Sequence, residues 1–136
     1  MFSLLRTTSL YVILLLVFGA CSKSMNQVDY AKTMLSGKTW YLDYTITNNQ
    51  TKSFIGKSTY FIQFTETGKT NDSDGIIGVF AIESTNNQLI LSINASTPSG
   101  SPANYSYSIE QIGYDKFIVN YTQDNTSIKK IFSTTH

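Results

Sequence analysis

Few side chains in this sequence could carry out a reaction. The one histidine, His136, is the last residue, and the one cysteine, Cys21, lies near the start, so no Ser/His or Cys/His machinery can be assembled between them. Carboxylates are the remaining acids and bases. Asp43, Glu83 and Glu110 fall in segments of strand-like alternation whose neighbours two residues away are mostly polar, which predicts the solvated face. The run from Asn71 to Gly75 matches only the last part of a calcium loop. Its first position would be Thr70, and its twelfth, which needs a bidentate acid, would be Ala81. A polar turn is the expected structure, and neither a catalytic residue, a metal nor a cofactor is expected.

Charge excludes another class. Ten basic residues face nine acidic ones, and Arg6 is the only arginine. Without Arg6, nine lysines balance nine acids. Planar, bidentate recognition of phosphate then has no side chain to supply it, and no basic stripe marks a nucleic-acid surface.

The start of the chain reads as an export signal. Arg6 stands in an acid-free beginning, an apolar run extends from Leu10 to Phe18, and Gly19 and Ala20 follow. A basic start, a short apolar core and small residues form the layout of a secretory leader, and the run is about half of the roughly 20 residues a spanning helix needs. The sequence Phe18-Gly19-Ala20-Cys21 resembles the lipobox of bacterial lipoproteins. That resemblance implies cleavage after Ala20 and acylation of Cys21, which would hold the protein on a membrane through its acyl chains, palmitate among them. Phe18 departs from the pattern, where leucine is commoner. Ser22 is not the aspartate of inner-membrane retention, and Ser22 to Gln27 carries no acidic cluster, so the resemblance implies the periplasmic face of the outer membrane. The Asn-x-Ser/Thr triplets at Asn94 and Asn120 are compositional accidents on this reading.

With Cys21 used as an anchor, no thiol remains for a disulfide, and the exported part must be held by its core. Residues 1–20 are read as leader, 21–36 as lipidated tether and short helix, and 37–136 as one β domain. Val28, Ala31, Met34 and Leu35 recur at helical spacing, Ser24 and Gln27 could form a capping box, and Gly37 is a plausible stop.

Beyond Lys38 the period changes to two. Trp40, Leu42, Tyr44 and Ile46 alternate, as do Tyr60, Ile62 and Phe64; Leu89, Leu91 and Ile93; Tyr105, Tyr107 and Ile109; and Phe117, Val119 and Tyr121. Residues 76–83 and 127–134 are two further strands with weaker alternation. About seven strands joined by short Gly, Asn and Asp turns predict an antiparallel meander, all-β, behind one N-terminal helix.

This pattern resembles the lipocalin-like domains of small lipoproteins from Bacteroidetes-type bacteria. The carrying residues are the helix and glycine leading to Trp40, the strand from Tyr60 to Phe64 with its turn at Gly68, and the closing alternation from Asn86 to Thr135. The resemblance implies an up-and-down barrel of eight strands, with the missing strand sought in residues 51–57, and a small hydrophobic or amphipathic ligand inside. It also implies a basic residue over the tryptophan, for which Lys129 or Lys130 is available. Two residues rather than one separate Gly37 from Trp40, a departure from the lipocalin pattern. A looser similarity to the META type of envelope domain rests on residues 64–80 and lacks that domain's cysteine and asparagine.

The aromatic side chains that should face inward are Trp40, Tyr44, Tyr60, Phe64, Tyr105, Tyr107, Phe117 and Tyr121. Rings with phenolic hydroxyls can line a pocket for a flat or amphipathic molecule, or they can fill a small barrel completely. The first reading makes the protein a ligand carrier; the second makes it an interaction module presenting loops such as 97–104 to another envelope protein or to a glycan.

Overall fold

The computed structural model describes residues 26–57 and 60–135. Cys21, Ser24, His136 and the proposed leader boundary lie outside the described residues. Helix α1 (Gln27–Leu35) starts at Asn26, whose Oδ1 accepts from the backbone N–H of Asp29 at 2.8 Å. The N-cap is therefore Asn26, two residues later than the expected Ser24, because an amide side chain caps a first turn as well as a hydroxyl does. Ala31 and Leu35 are fully buried, and Gly37, at φ +72°, turns the chain into the sheet while its N–H donates to the Phe64 carbonyl.

Nine strands follow: β1 (Lys38–Thr47), β2 (Gln50–Ser53), β3 (Phe61–Phe64), β4 (Lys69–Asp72), β5 (Ile77–Thr85), β6 (Gln88–Ser96), β7 (Pro102–Ile112), β8 (Lys116–Gln123) and β9 (Thr126–Ser133). All neighbouring pairs are antiparallel, and pairing of β9 with β1 closes the sheet. The result is an up-and-down barrel of eight strands plus one extra strand. β2 and β3 lie end to end along the same edge of β1, with Tyr44 opposite Ser53 and Tyr41 opposite Phe61. They are two halves of one stave, interrupted by residues 54–60.

Three hairpins turn on two residues, Asn48-Asn49, Asn86-Asn87 and Asp124-Asn125, all with φ between 49° and 63°. Both central residues of a type I′ turn need positive φ, and asparagine and aspartate tolerate it best after glycine. This chemistry explains why polar dipeptides fix the register of long hairpins. Gly78 serves a different end: a Cβ there would overlap the carbonyl oxygen of Asn94 and the side chain of Ala95, so only glycine lets β5 and β6 approach at that point.

Two expected strands gain company. A short strand, β2, does lie where one is expected in residues 51–57, starting one residue earlier, but it pairs only with β1; the strand that brings the closed ring to eight is β4, inside a stretch that composition assigns to a turn. β4 was concealed because its inward positions are polar, Thr70 and Asp72, both buried.

Bulges correct the expected faces. Between Leu42 and Tyr44 the β1–β9 register slips by one, leaving Asp43 as the extra residue. Leu42 pairs with the buried Phe132, but Tyr44 pairs with Ile131, which shares the outer face with Ile118. Tyr44 and Ile46 therefore point outward rather than in line with Trp40. A second bulge at Glu110 leaves that carboxylate outside, accepting from Lys129 Nζ and Asn120 Nδ2. These two partners hold its pKa below the usual carboxylate range.

The barrel has two unlike ends. At one, α1 packs against β5 and β7, and the Trp40 indole N–H donates to the Leu35 carbonyl at 3.0 Å, satisfying one of the helix's terminal acceptors. Above it runs a connected set of rings, Trp40 with Phe117 at 5.5 Å, Phe117 with Phe132 at 5.6 Å and Phe64 with Phe80 at 5.0 Å. The opposite end carries tyrosines. No helix among the described residues is long and apolar enough to cross a membrane.

Candidate functional site at the open end of the barrel

The ladder between β7 and β8 is incomplete. β7 pairs with β6 from Pro102 to Ile109, and β8 pairs with β9 along its whole length, yet β7 and β8 pair with each other only from Ser108↔Asn120 to Ile112↔Phe117. Beyond Ser108 the two strands part, and Tyr105 to Tyr107 face Tyr121 to Gln123 across a seam without ladder hydrogen bonds. A cleft of about 390 Å³ occupies this seam, lined by Asn104 to Tyr107, Tyr121 to Gln123 and Lys130. Its volume is that of a small-molecule site.

The lumen, by contrast, is closely packed among the described residues. Two voids there, lined by described residues, measure about 10 Å³ each, one among Ile62, Phe64, Leu91, Phe117 and their neighbours, the other beside Thr70 and Asp72. Each is about the size of one water and far below that of a ligand. Of the aromatic residues singled out from sequence, Trp40, Phe64 and Phe117 are core, with 2% exposure or less. Tyr44 lies on the outer face. Tyr60 lies deep at the open end, and Tyr105, Tyr107 and Tyr121 come together at the cleft.

Those three tyrosines form a continuous surface. Tyr105 and Tyr107, two apart on β7, stack with planes 12° apart and centroids at 5.9 Å, and Tyr107 meets Tyr121 edge to face at 5.4 Å. Burial, followed by the neighbouring phenols, raises the pKa of Tyr107 and Tyr121 above the ordinary phenol value, so both are neutral donors at physiological pH. Tyr105 is 38% exposed and forms the outer lip.

Beneath them is a polar knot. The Tyr60 hydroxyl donates to Asp72 Oδ2 at 2.9 Å, while Asp72 Oδ1 accepts from the backbone N–H groups of Asp74 and Ile76 at 3.0 and 2.9 Å. Asp72 thus closes the β4–β5 turn as an Asx motif, so the Asn71–Gly75 run is a polar turn held by one of its two aspartates. Burial, and then Asp72, push the Tyr60 pKa far above the phenol range. The Thr70 hydroxyl, beside this knot, is buried without a hydrogen-bond partner among the described residues.

Lys130 faces the same region. It follows Lys129 in sequence but points the other way: Lys129 is outside with Glu110, whereas Lys130 pairs with Val119 and Thr45 and borders both an internal void and the cleft. Its ammonium lies 5.5 Å from the Tyr60 ring centre and 5.3 Å from that of Tyr121. Burial lowers its pKa, and the charges of Asp72 and Asp74 partly oppose that shift.

Neither Lys129 nor Lys130 covers the tryptophan. Lys38 does: its Nζ lies 5.5 Å from the Trp40 ring centre and 4.3 Å from that of Tyr114, and donates to the Tyr114 carbonyl at 2.8 Å. The cation comes from the first strand, two residues before the indole, because β9 directs Lys130 to the opposite end. Asp43, Glu83 and Glu110 converge on no common point; the first and last are bulge residues, and Glu83 is exposed opposite Ile90.

Sequence reasoning missed Lys130 and Asp72 as parts of the site. Their faces follow from register, which alternation shows only when the inward residues are apolar. A comparison of the chain with protein-family models gave no match, and a comparison with curated proteins gave none either. The fold and the cleft therefore define the protein as a closed antiparallel β-barrel with a helix-capped end and an open, tyrosine-lined end.

Proposed function

We propose that this chain is a lipid-anchored, lipocalin-like protein of the bacterial envelope that holds a small hydrophobic or amphipathic molecule without transforming it. The observation that carries the reading is the seam cleft of about 390 Å³ with Tyr105, Tyr107 and Tyr121 on its walls. Ring faces supply contact area and hydroxyls supply orientation, which is how apolar pockets gain selectivity. The lipobox at Cys21 supports the anchor, and Ser22 supports outer-membrane retention on the periplasmic side. An anchored barrel with an opening in its wall could take up a molecule from, or release it to, the adjacent bilayer.

A second reading is favoured by the small size of the interior voids and by the exposed apolar residues Ile77 and Val79, which alternate on β5: a non-catalytic module that contacts an envelope protein or glycan.

Native mass spectrometry of the full chain, released from its membrane in mild detergent, separates the two. The carrier reading expects a small-molecule adduct that is lost in Tyr105→Ala, a lip substitution that spares the core. A clean mass with no adduct favours the second reading. The anchor has its own test: Cys21→Ala is expected to abolish acyl labelling and release the protein, and unchanged labelling would contradict it.

A further inference from the structure

The cleft contains one cation that has neither an ion-pair nor a hydrogen-bond partner within contact distance among the described residues. Among the described residues the ion pair within contact distance is Lys129 with Glu110, and Lys130 makes neither a salt bridge nor a hydrogen bond there; its contacts are the rings of Tyr60 and Tyr121. An ammonium has three donors and is costly to bury without acceptors. The buried acid Asp72 is already committed to the Tyr60 hydroxyl and two backbone N–H groups. Lys130 is thus a half-buried cation whose unengaged donors adjoin a cleft walled by tyrosines.

We propose that the cleft selects a carboxylate-headed amphiphile, with its head on Lys130 Nζ and its apolar body against Tyr105, Tyr107 and Tyr121 within the barrel wall. This rests on the reading of the cleft as a ligand site and adds the chemistry of the ligand and its place. The body lies in the seam rather than the lumen because the internal voids hold about 10 Å³ each and the seam about 390 Å³. A carboxylate satisfies an ammonium with charge-assisted hydrogen bonds, which are stronger than those of a neutral head. The rings of Tyr60 and Tyr121 flank that ammonium at 5.5 and 5.3 Å.

The test uses the full chain in phosphatidylcholine nanodiscs, with empty nanodiscs as the blank, titrated calorimetrically with octanoate, octanamide and octylammonium. Octanoate is expected to bind at least tenfold more tightly than octanamide, and octylammonium more weakly than either. Lys130→Met should lower octanoate affinity at least tenfold and leave octanamide unchanged, while Lys130→Arg keeps most of the preference. Equal affinity for octanoate and octanamide, or undiminished octanoate binding in Lys130→Met, overturns the assignment of the head while leaving the ligand site in place. Absence of binding by all three probes overturns the ligand site itself.

Discussion

Tyr107 and Tyr121 meet edge to face at 5.4 Å at the point where β7 and β8 cease to be paired. The two rings take over from the backbone ladder, so a side-chain contact, rather than hydrogen bonds, holds the barrel together beside the cleft. An edge-to-face aromatic pair contributes about 0.5–1.5 kcal/mol beyond its buried area. A double-mutant cycle of Tyr107→Leu and Tyr121→Leu, followed by urea unfolding, is expected to return a coupling energy in that range. A coupling near zero would mean that the seam is held by something else.

The closed end depends on Trp40 and on Lys38 above it. Trp40→Phe leaves the Leu35 carbonyl without its indole donor and opens space under α1, so a loss of about 2–4 kcal/mol is expected. Lys38→Met removes the hydrogen bond to the Tyr114 carbonyl and two ring contacts, for a smaller loss of about 1–2 kcal/mol. Chemical denaturation orders the two. An equal or reversed order would show that the cation, not the helix contact, secures this end.

Thr70 is an opportunity for stabilisation. Its buried hydroxyl makes no hydrogen bond among the described residues, and valine has nearly the same shape. Thr70→Val is expected to raise stability by about 1 kcal/mol, read as a higher denaturant midpoint at unchanged slope. A loss would mean that the hydroxyl is hydrogen-bonded in solution.

Alkaline stability follows from the buried phenols. Tyr60, Tyr107 and Tyr121 have folded pKa values raised above the ordinary 10.0, so the unfolded chain gives up these protons first. Their contribution is fully present below pH 10.0 and is lost as the pH rises above it. Lys130 acts in the opposite sense: its folded pKa is lowered from 10.5, so its contribution grows with pH up to that value and then stays level. Above pH 10.5 Lys130 no longer adds to the slope, whereas the three tyrosines still do. In that range Tyr60→Phe is expected to flatten the fall of stability by about one proton, or ~1.4 kcal/mol per pH unit. An unchanged slope would place the Tyr60 hydroxyl in solvent.

Much of this fold is legible in the sequence. Where one strand face is apolar, as at Leu89, Leu91 and Ile93, alternation alone locates the strand and its inward side. β2, Gln-Thr-Lys-Ser, has no apolar residue and exists through its Asn-Asn turn and its backbone pairing with β1. β4 alternates, but its inward residues are Thr70 and Asp72, which composition reads as part of a turn. The bulge at Asp43 reverses Tyr44 without disturbing the written pattern, since an inserted residue and a regular one look the same in a string. The cleft is least legible of all. Tyr105, Tyr107 and Tyr121 alternate identically whether or not their strands pair, and adjacent Lys129 and Lys130 differ only in the face that register gives them.

Amide hydrogen exchange on the full chain tests the open seam most directly. The amides of residues 104–107 that point away from β6, and those of residues 121–123 that point away from β9, are expected to exchange far faster than those of Phe117 to Asn120. Octanoate should slow them selectively. Seam amides as protected in the free protein as those of Phe117 to Asn120 would mean that β7 and β8 are zipped to their ends, and would contradict the site.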